Sequence, residues 1–120
     1  MEYGIPYPNI YHNLGNTYAQ LKQYNQAEIN FKKAIEIDPG FFYSYNNLIN
    51  LYSMQKKYDR ALEISEIAEK KFSRVHYAII QLELLKLSQD KLQFEQKKSA
   101  FITQYSSDPD AVRGLTKVLY

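Results

Sequence analysis

At 120 residues, 45% of them hydrophobic, the chain holds enough apolar material for one domain, and the absence of cysteine rules out disulfides and thiolate chemistry. Its 15 basic and 13 acidic residues leave a formal charge of +2, too even a balance to mark nucleic acid or an anionic membrane as the partner. No apolar run approaches the ~20 residues that span a bilayer, and the N-terminus, with Pro6 and Pro8 and no basic stretch, does not read as a signal peptide, so a cytoplasmic location is the default expectation.

Shifted against itself by 34 residues, the chain repeats its pattern: Tyr11, Leu14, Tyr18, Tyr24, Ala27 and Ala34 fall on Tyr45, Leu48, Tyr52, Tyr58, Ala61 and Ala68. A repeat of that length implies stacked copies of one supersecondary unit, with the core lying between neighbours. In chain order, apolar residues recur at three- and four-residue steps from about Asn9 to Lys22, then from Asn25 to Ile37, on either side of a polar turn. Tyr11, Leu14, Tyr18 and Leu21 form the expected inner stripe of the first helix. Ala27, Phe31, Ala34 and Ile35 form that of the second. Gly15 in mid-helix costs roughly 1 kcal/mol against alanine, so close approach of the partner helix near Ala27 is expected there. Asp38-Pro39-Gly40 stops the hairpin, with the glycine expected to supply a left-handed cap.

A second hairpin is predicted from Tyr43 to Gln55 and from Asp59 to Phe72. The third is less regular. Val75 to Ser88 carries a stripe of Ile79, Leu82, Leu85 and Leu87, and Phe94, Lys98, Phe101 and Tyr105 keep helical spacing after Gln89-Asp90. Asp108-Pro109 arrives about two residues late, which predicts a longer turn or a slipped helix in this unit. The last residues begin a seventh helix, whose stripe of Val112, Leu115, Val118 and Leu119 suits a terminal cap. The sum is seven helices and no strand.

These residues carry a resemblance to the tetratricopeptide repeat family. The unit 8–41 has Tyr11, Leu14, Gly15, Tyr18, Ala27, Phe31, Ala34 and Pro39 at the family's signature positions. The unit 42–75 keeps Tyr45, Leu48, Tyr52, Ala61 and Ala68 but departs at Ile49, Ser65 and Ser73. The unit 76–109 retains Leu82 and Ile79, with Lys86 and Glu95 out of pattern. The resemblance implies an all-α, right-handed superhelical stack of antiparallel hairpins. It would form a single domain over 1–120, made of these three units and a capping helix over 110–120.

In the family the first helix of each hairpin lines a concave groove. The resemblance therefore implies a groove of Asn9, His12, Asn13, Asn16 and Gln20, then Tyr43, Asn46, Asn47, Asn50 and Met54, then Tyr77, Ile80, Gln81 and Leu84. Asn13, Asn47 and Gln81 make one column at the repeat spacing, and Asn16 and Asn50 another. The ladder is similar to the asparagine ladder of O-GlcNAc transferase, with no implication of transferase activity. A neutral carboxamide both donates and accepts, so such a ladder can pair with the backbone of an extended peptide. The competing reading is a plain solvated polar face. Members that clamp the acidic tails of chaperones need cations where this chain has His12, Tyr77 and Gln81, and only Asn16 and Asn47 match, so that specialised function is not expected.

His12 and His76 have no partner at a metal-binding interval, and no nucleophile, phosphate loop or acid–base pair stands out. Paired lysines such as Lys32-Lys33 and Lys70-Lys71 interleave with glutamates at helical steps and read as solvated faces. The expectation is a non-enzymatic module without cofactor or metal, binding a protein or peptide and neither nucleic acid nor a membrane interior. The rival readings are a structural domain that self-associates through its stack ends, where Tyr3, Ile5, Tyr7 and the Leu115 to Tyr120 face are apolar, or an accessory domain of a larger protein.

Overall fold

The computed structural model describes residues 7–119. Among them are seven helices and no strand: α1 (Pro8–Gln20), α2 (Tyr24–Ile37), α3 (Phe42–Met54), α4 (Tyr58–Phe72), α5 (Val75–Ser88), α6 (Lys91–Tyr105) and α7 (Pro109–Leu119). The fold is all-α, as the periodicity predicts. Packing divides the chain into two compact units, α1 to α3 and α4 to α7, with the boundary between Lys57 and Tyr58.

In the N-terminal unit Pro8 opens α1, where its missing N–H would have had no helical partner in any case. The helix ends on Lys22, held at φ 61°, with Lys22 N donating to the Ala19 carbonyl and Gln23 N to the Tyr18 carbonyl. One repeat later Lys56 takes φ 60°, and the same two bonds run from Lys56 to Ser53 and from Lys57 to Tyr52. This pair of bonds satisfies the last carbonyls of each helix, and lysine takes the left-handed position where glycine is usual. Gly40, expected to be left-handed, is not, since no glycine has positive φ among the described residues. That turn is held instead by Asp38, whose Oδ1 accepts from Gly40 N at 3.0 Å while its carbonyl accepts from Phe41 N.

Helices α1 and α2 form the hairpin, and α3 packs on α2 and more lightly on α1. Ala27, Phe31, Ala34, Tyr45, Leu48, Ile49, Leu51 and Tyr52 are buried. Tyr11 and Tyr18 are half-buried on the inner side of α1. The close approach expected at Gly15 exists, but against Phe31 rather than Ala27: a Cβ on Gly15 would lie 2.6 Å from the Phe31 ring carbons. Leu14 and Leu21, expected in the inner stripe, are exposed. They lie on a different face of α1 from Tyr11, Gly15 and Tyr18.

In the C-terminal unit α5 packs against α4, α6 and α7. Ala78, Leu82, Phe101, Ala111, Leu115 and Val118 make one core cluster, with Val75, Ile79, Phe94 and Tyr105 against it. The irregular third hairpin has no longer turn. Only Gln89 and Asp90 separate α5 from α6, against three residues between α1 and α2 and between α3 and α4, and the late Asp108-Pro109 opens α7, whereas Asp38-Pro39 directly follows α2. Gln89 takes φ 63°, and the Asp90 carboxylate caps α6 by accepting from Gln93 N at 3.1 Å. The buried stripe of α7 is Ala111, Leu115 and Val118, while Val112 and Leu119 are exposed. Gly114 lies against Ile79, where a Cβ would run into Ile79 Cδ1. Leu87 is likewise exposed, beyond the reach of the core. Tyr3, Ile5 and Tyr120 lie outside the described residues.

Candidate functional site

Four side chains join α1 to α3 in the N-terminal unit. The His12 ring is at their centre. Its Nδ1 is 3.2 Å from Ser44 Oγ, and its Nε2 is 3.4 Å from Asn16 Nδ2 and 3.3 Å from Asn47 Nδ2. Asn47 Nδ2 also donates to Asn16 Oδ1 at 2.7 Å. An amide nitrogen can only donate, so Nε2 is the acceptor, the ring proton sits on Nδ1 facing Ser44, and the imidazole is neutral. The rings of Phe41, Phe31 and Tyr43 surround it at centroid distances of 5.2, 5.9 and 6.3 Å. Burial lowers the His12 pKa below 6.5. His12, expected to line the groove, serves as a clasp between two helices.

Around the clasp lies the rest of the expected amide face. Asn9, Asn13 and Gln20 on α1 and Asn50 on α3 are exposed, and their side chains make no hydrogen bond among the described residues. Asn47 Oδ1 likewise accepts none, since both bonds of that side chain run from its nitrogen. Asn46 is half-buried, with Oδ1 buried and unpartnered among the described residues. Tyr43 and Met54 are exposed at opposite ends of α3, Tyr43 resting on Phe42 at 4.3 Å. No charged residue occurs in α1 from Pro8 to Gln20 or in α3 from Phe42 to Met54. The face therefore offers neutral donors and acceptors, flanked by an aromatic and a thioether.

The third rung of the ladder is not a surface feature. Tyr77 and Gln81, expected in the groove, are 0% and 2% exposed, and Leu84 is buried too. Gln81 Nε2 donates to Glu69 Oε1 at 2.8 Å, and its Oε1 accepts from Lys97 Nζ at 3.0 Å, so this amide joins α4, α5 and α6. Tyr105 OH approaches the second oxygen of Glu69 at 3.5 Å, and burial, followed by the Glu69 charge, raises its pKa. A sequence signal for this was available: apolar residues fall on every side of α5, although His76, Glu83 and Lys86 are exposed.

Two open cavities lie elsewhere. One of about 480 Å³ is lined by Leu85, Lys86, Gln89, Lys91 and Phe94. Another of about 440 Å³ lies at the α1–α2 turn beside Gln55. Lys86 at the first of them donates to the Val118 carbonyl near the end of α7, a cation placed where the helix dipole favours one. Among the described residues no three His, Asp or Glu side chains gather as a metal would require.

The family model for the tetratricopeptide repeat matches residues 8–41, and a second tetratricopeptide model matches residues 30–63. Residues 8–63 carry tetratricopeptide repeats. The N-terminal domain of stress-induced protein-1 (STI-1) from C. elegans is similar in fold, with a TM-score of 0.69 and 20% identity over 94% of each chain. Comparison with curated proteins finds no match. The matched residues contain the whole α1–α3 face and end before α5 and α6, where Lys86 and Glu95 leave the repeat pattern. Tetratricopeptide repeats are generally protein–protein interaction modules rather than catalytic scaffolds, and no described helix of this one is long and apolar enough to cross a membrane.

Proposed function

We propose that this chain is a non-enzymatic interaction module whose α1–α3 face receives an extended segment of a partner protein. The observation that carries this reading is the His12 clasp. By bonding to each other and to His12, Asn16 and Asn47 fix the spacing of α1 and α3, while Asn13, Asn50 and the Asn47 carbonyl keep their capacity for an incoming backbone. Pre-set donors and acceptors lose little entropy on binding. With no charge on either helix and a neutral His12, the face reads peptide groups in preference to acidic side chains. Tyr77 and Gln81 have no part in it, because they are packed inside the C-terminal unit. The three units and capping helix are read as one repeat domain.

Each amide contact contributes about 0.5–1.5 kcal/mol net. Removing the two exposed amides in an Asn13→Ala/Asn50→Ala variant should therefore weaken a captured partner by roughly tenfold, with no change in thermal midpoint. The measurement is capture on immobilised native chain beside this variant, followed by titration of each captured protein. Equal affinity of every captured protein for the folded variant would exclude this face.

A further inference from the structure

His12, Asn16 and Asn47 form a closed ring of hydrogen bonds. His12 Nε2 accepts from Asn16 Nδ2 and Asn47 Nδ2, and Asn47 Nδ2 donates in addition to Asn16 Oδ1. Each contact pairs a donor with an acceptor, and the lone pair of Nε2 sets the polarity of them all. The Asn47 oxygen, turned away from the ring, accepts no hydrogen bond among the described residues.

A proton on Nε2 reverses that polarity, because the ring nitrogen then donates toward two amide nitrogens that can only donate. Turning the Asn16 amide alone would set its nitrogen against the Asn47 nitrogen, and turning Asn47 alone would set its oxygen against the Asn16 oxygen. Turning both restores every pair: Nε2–H meets two carboxamide oxygens, and Asn16 Nδ2 donates to Asn47 Oδ1. The change needs rotation about one terminal torsion in each residue, which for asparagine is broad and roughly two-fold. Nδ1 keeps its bond to Ser44 Oγ in either state.

The surroundings add no competing charge. Phe31 of α2, Phe41 of the following turn, and Tyr43, Ser44 and Asn47 of α3 meet the ring, with Asn16 from its own helix. Tyr43 alone of these can titrate, and a phenol is uncharged where an imidazole takes up its proton. Of the charges on α2 and the turn, Lys32 pairs with Glu28, Lys33 lies over the Tyr11 ring and Asp38 holds Gly40 N. Burial is what lowers the His12 pKa.

We propose that His12 is a proton switch for the α1–α3 face: beside the neutral imidazole Asn47 presents an acceptor to a peptide N–H, and beside the protonated one Asn16 and Asn47 turn together, so that Asn47 presents a donor. The consequence for a partner rests on reading this face as the binding surface, whereas the turn of the amides does not. A peptide bonded to the Asn47 oxygen binds the neutral state, so its apparent affinity follows the neutral fraction and falls about tenfold per pH unit below the His12 pKa.

Magnetic resonance of the isotope-labelled chain between about pH 8 and pH 4 reads the switch without a partner. At the upper end His12 should carry its proton on Nδ1, with the Asn47 amide protons in contact with the ring C–H protons. Those contacts should weaken, and the Asn16 and Asn47 amide signals should move, with the midpoint of the ring itself. An Nε2–H tautomer at high pH, contacts at full strength after complete protonation, or a ring that stays neutral until the chain unfolds would each overturn the switch and leave the binding face untouched. A peptide without His, Asp or Glu, selected at neutral pH, is then titrated over the same range. Its affinity should fall about tenfold per unit on the native chain and stay level on His12→Gln, and an equal fall on both would overturn the proposal. Level affinity on the native chain while the amides turn would support the switch and overturn the α1–α3 face as the binding surface.

Discussion

Asn47 Nδ2 donates to Asn16 Oδ1 at 2.7 Å, and both amides also converge on His12 Nε2, so each residue holds the other in place between α1 and α3. Replacing either one leaves a half-buried partner short of a bond. In a double-mutant cycle of Asn16→Ala and Asn47→Ala, the coupling energy should be about 0.5–1.5 kcal/mol. Denaturant unfolding of the four proteins measures it, and strictly additive losses would mean that the bond carries no net stability.

The same cluster makes stability depend on pH. The unfolded chain protonates His12 near 6.5, and the folded chain does so only at lower pH because the ring is partly buried. Between those two values the unfolded state binds more protons, so stability is complete above about pH 6.5 and is lost as pH falls toward the folded pKa. Protonation would also turn Nε2 into a donor facing two amide donors. Urea midpoints followed between about pH 8 and pH 5 should decline in the native chain and flatten over the upper part of that range in His12→Gln. An equal decline in both would place the titration elsewhere.

Gly15 and Phe31 form a small–large pair at the heart of the first hairpin. One period later the same positions hold Ile49 and Ser65, both buried, with the sizes reversed. Gly15→Leu should overpack the hairpin and cost about 1–3 kcal/mol. Copying the reversed pair, Gly15→Ile with Phe31→Ser, should cost clearly less than the two single changes summed, since the large side chain enters space the ring has left. Thermal midpoints of the three variants decide the point, and additive losses would remove the idea of volume exchange.

Gln81 is a structural amide, not a binding one. Gln81→Ala should cost about 1–3 kcal/mol by stripping Glu69 of a donor inside the C-terminal unit, while a partner bound at the α1–α3 face keeps its affinity. Loss of binding at unchanged stability would restore Gln81 to the binding surface.

Much of the fold was legible because an apolar residue every three or four positions has one physical reading, and the turns at residues 21–23, 55–57 and 38–41 fall where that period breaks. The need for close approach at Gly15 was legible as well. Its partner was not, because period alone cannot tell which of Ala27 and Phe31 sits over the glycine. Leu14 shows a second limit. The repeat pattern marks it as core, yet burial needs a neighbouring hairpin, and for the first helix none is described. Tyr77 and Gln81 show the third. Counting by repeat length carried them onto the amide face, whereas α5 has apolar residues on every side and packs against α4, α6 and α7. The clasp at His12 could not be read at all, because it depends on residues 32 and 35 positions apart meeting in space.

The most direct test of the account is to map, by the side-chain amide resonances of every Asn and Gln, where a peptide selected for binding to the native chain makes contact. The account predicts that the Asn13 and Asn50 amides shift with peptide and saturate together. Unmoved Asn13 and Asn50 signals, with changes gathered instead at Gln89 beside the Leu85 and Phe94 cavity, would contradict it.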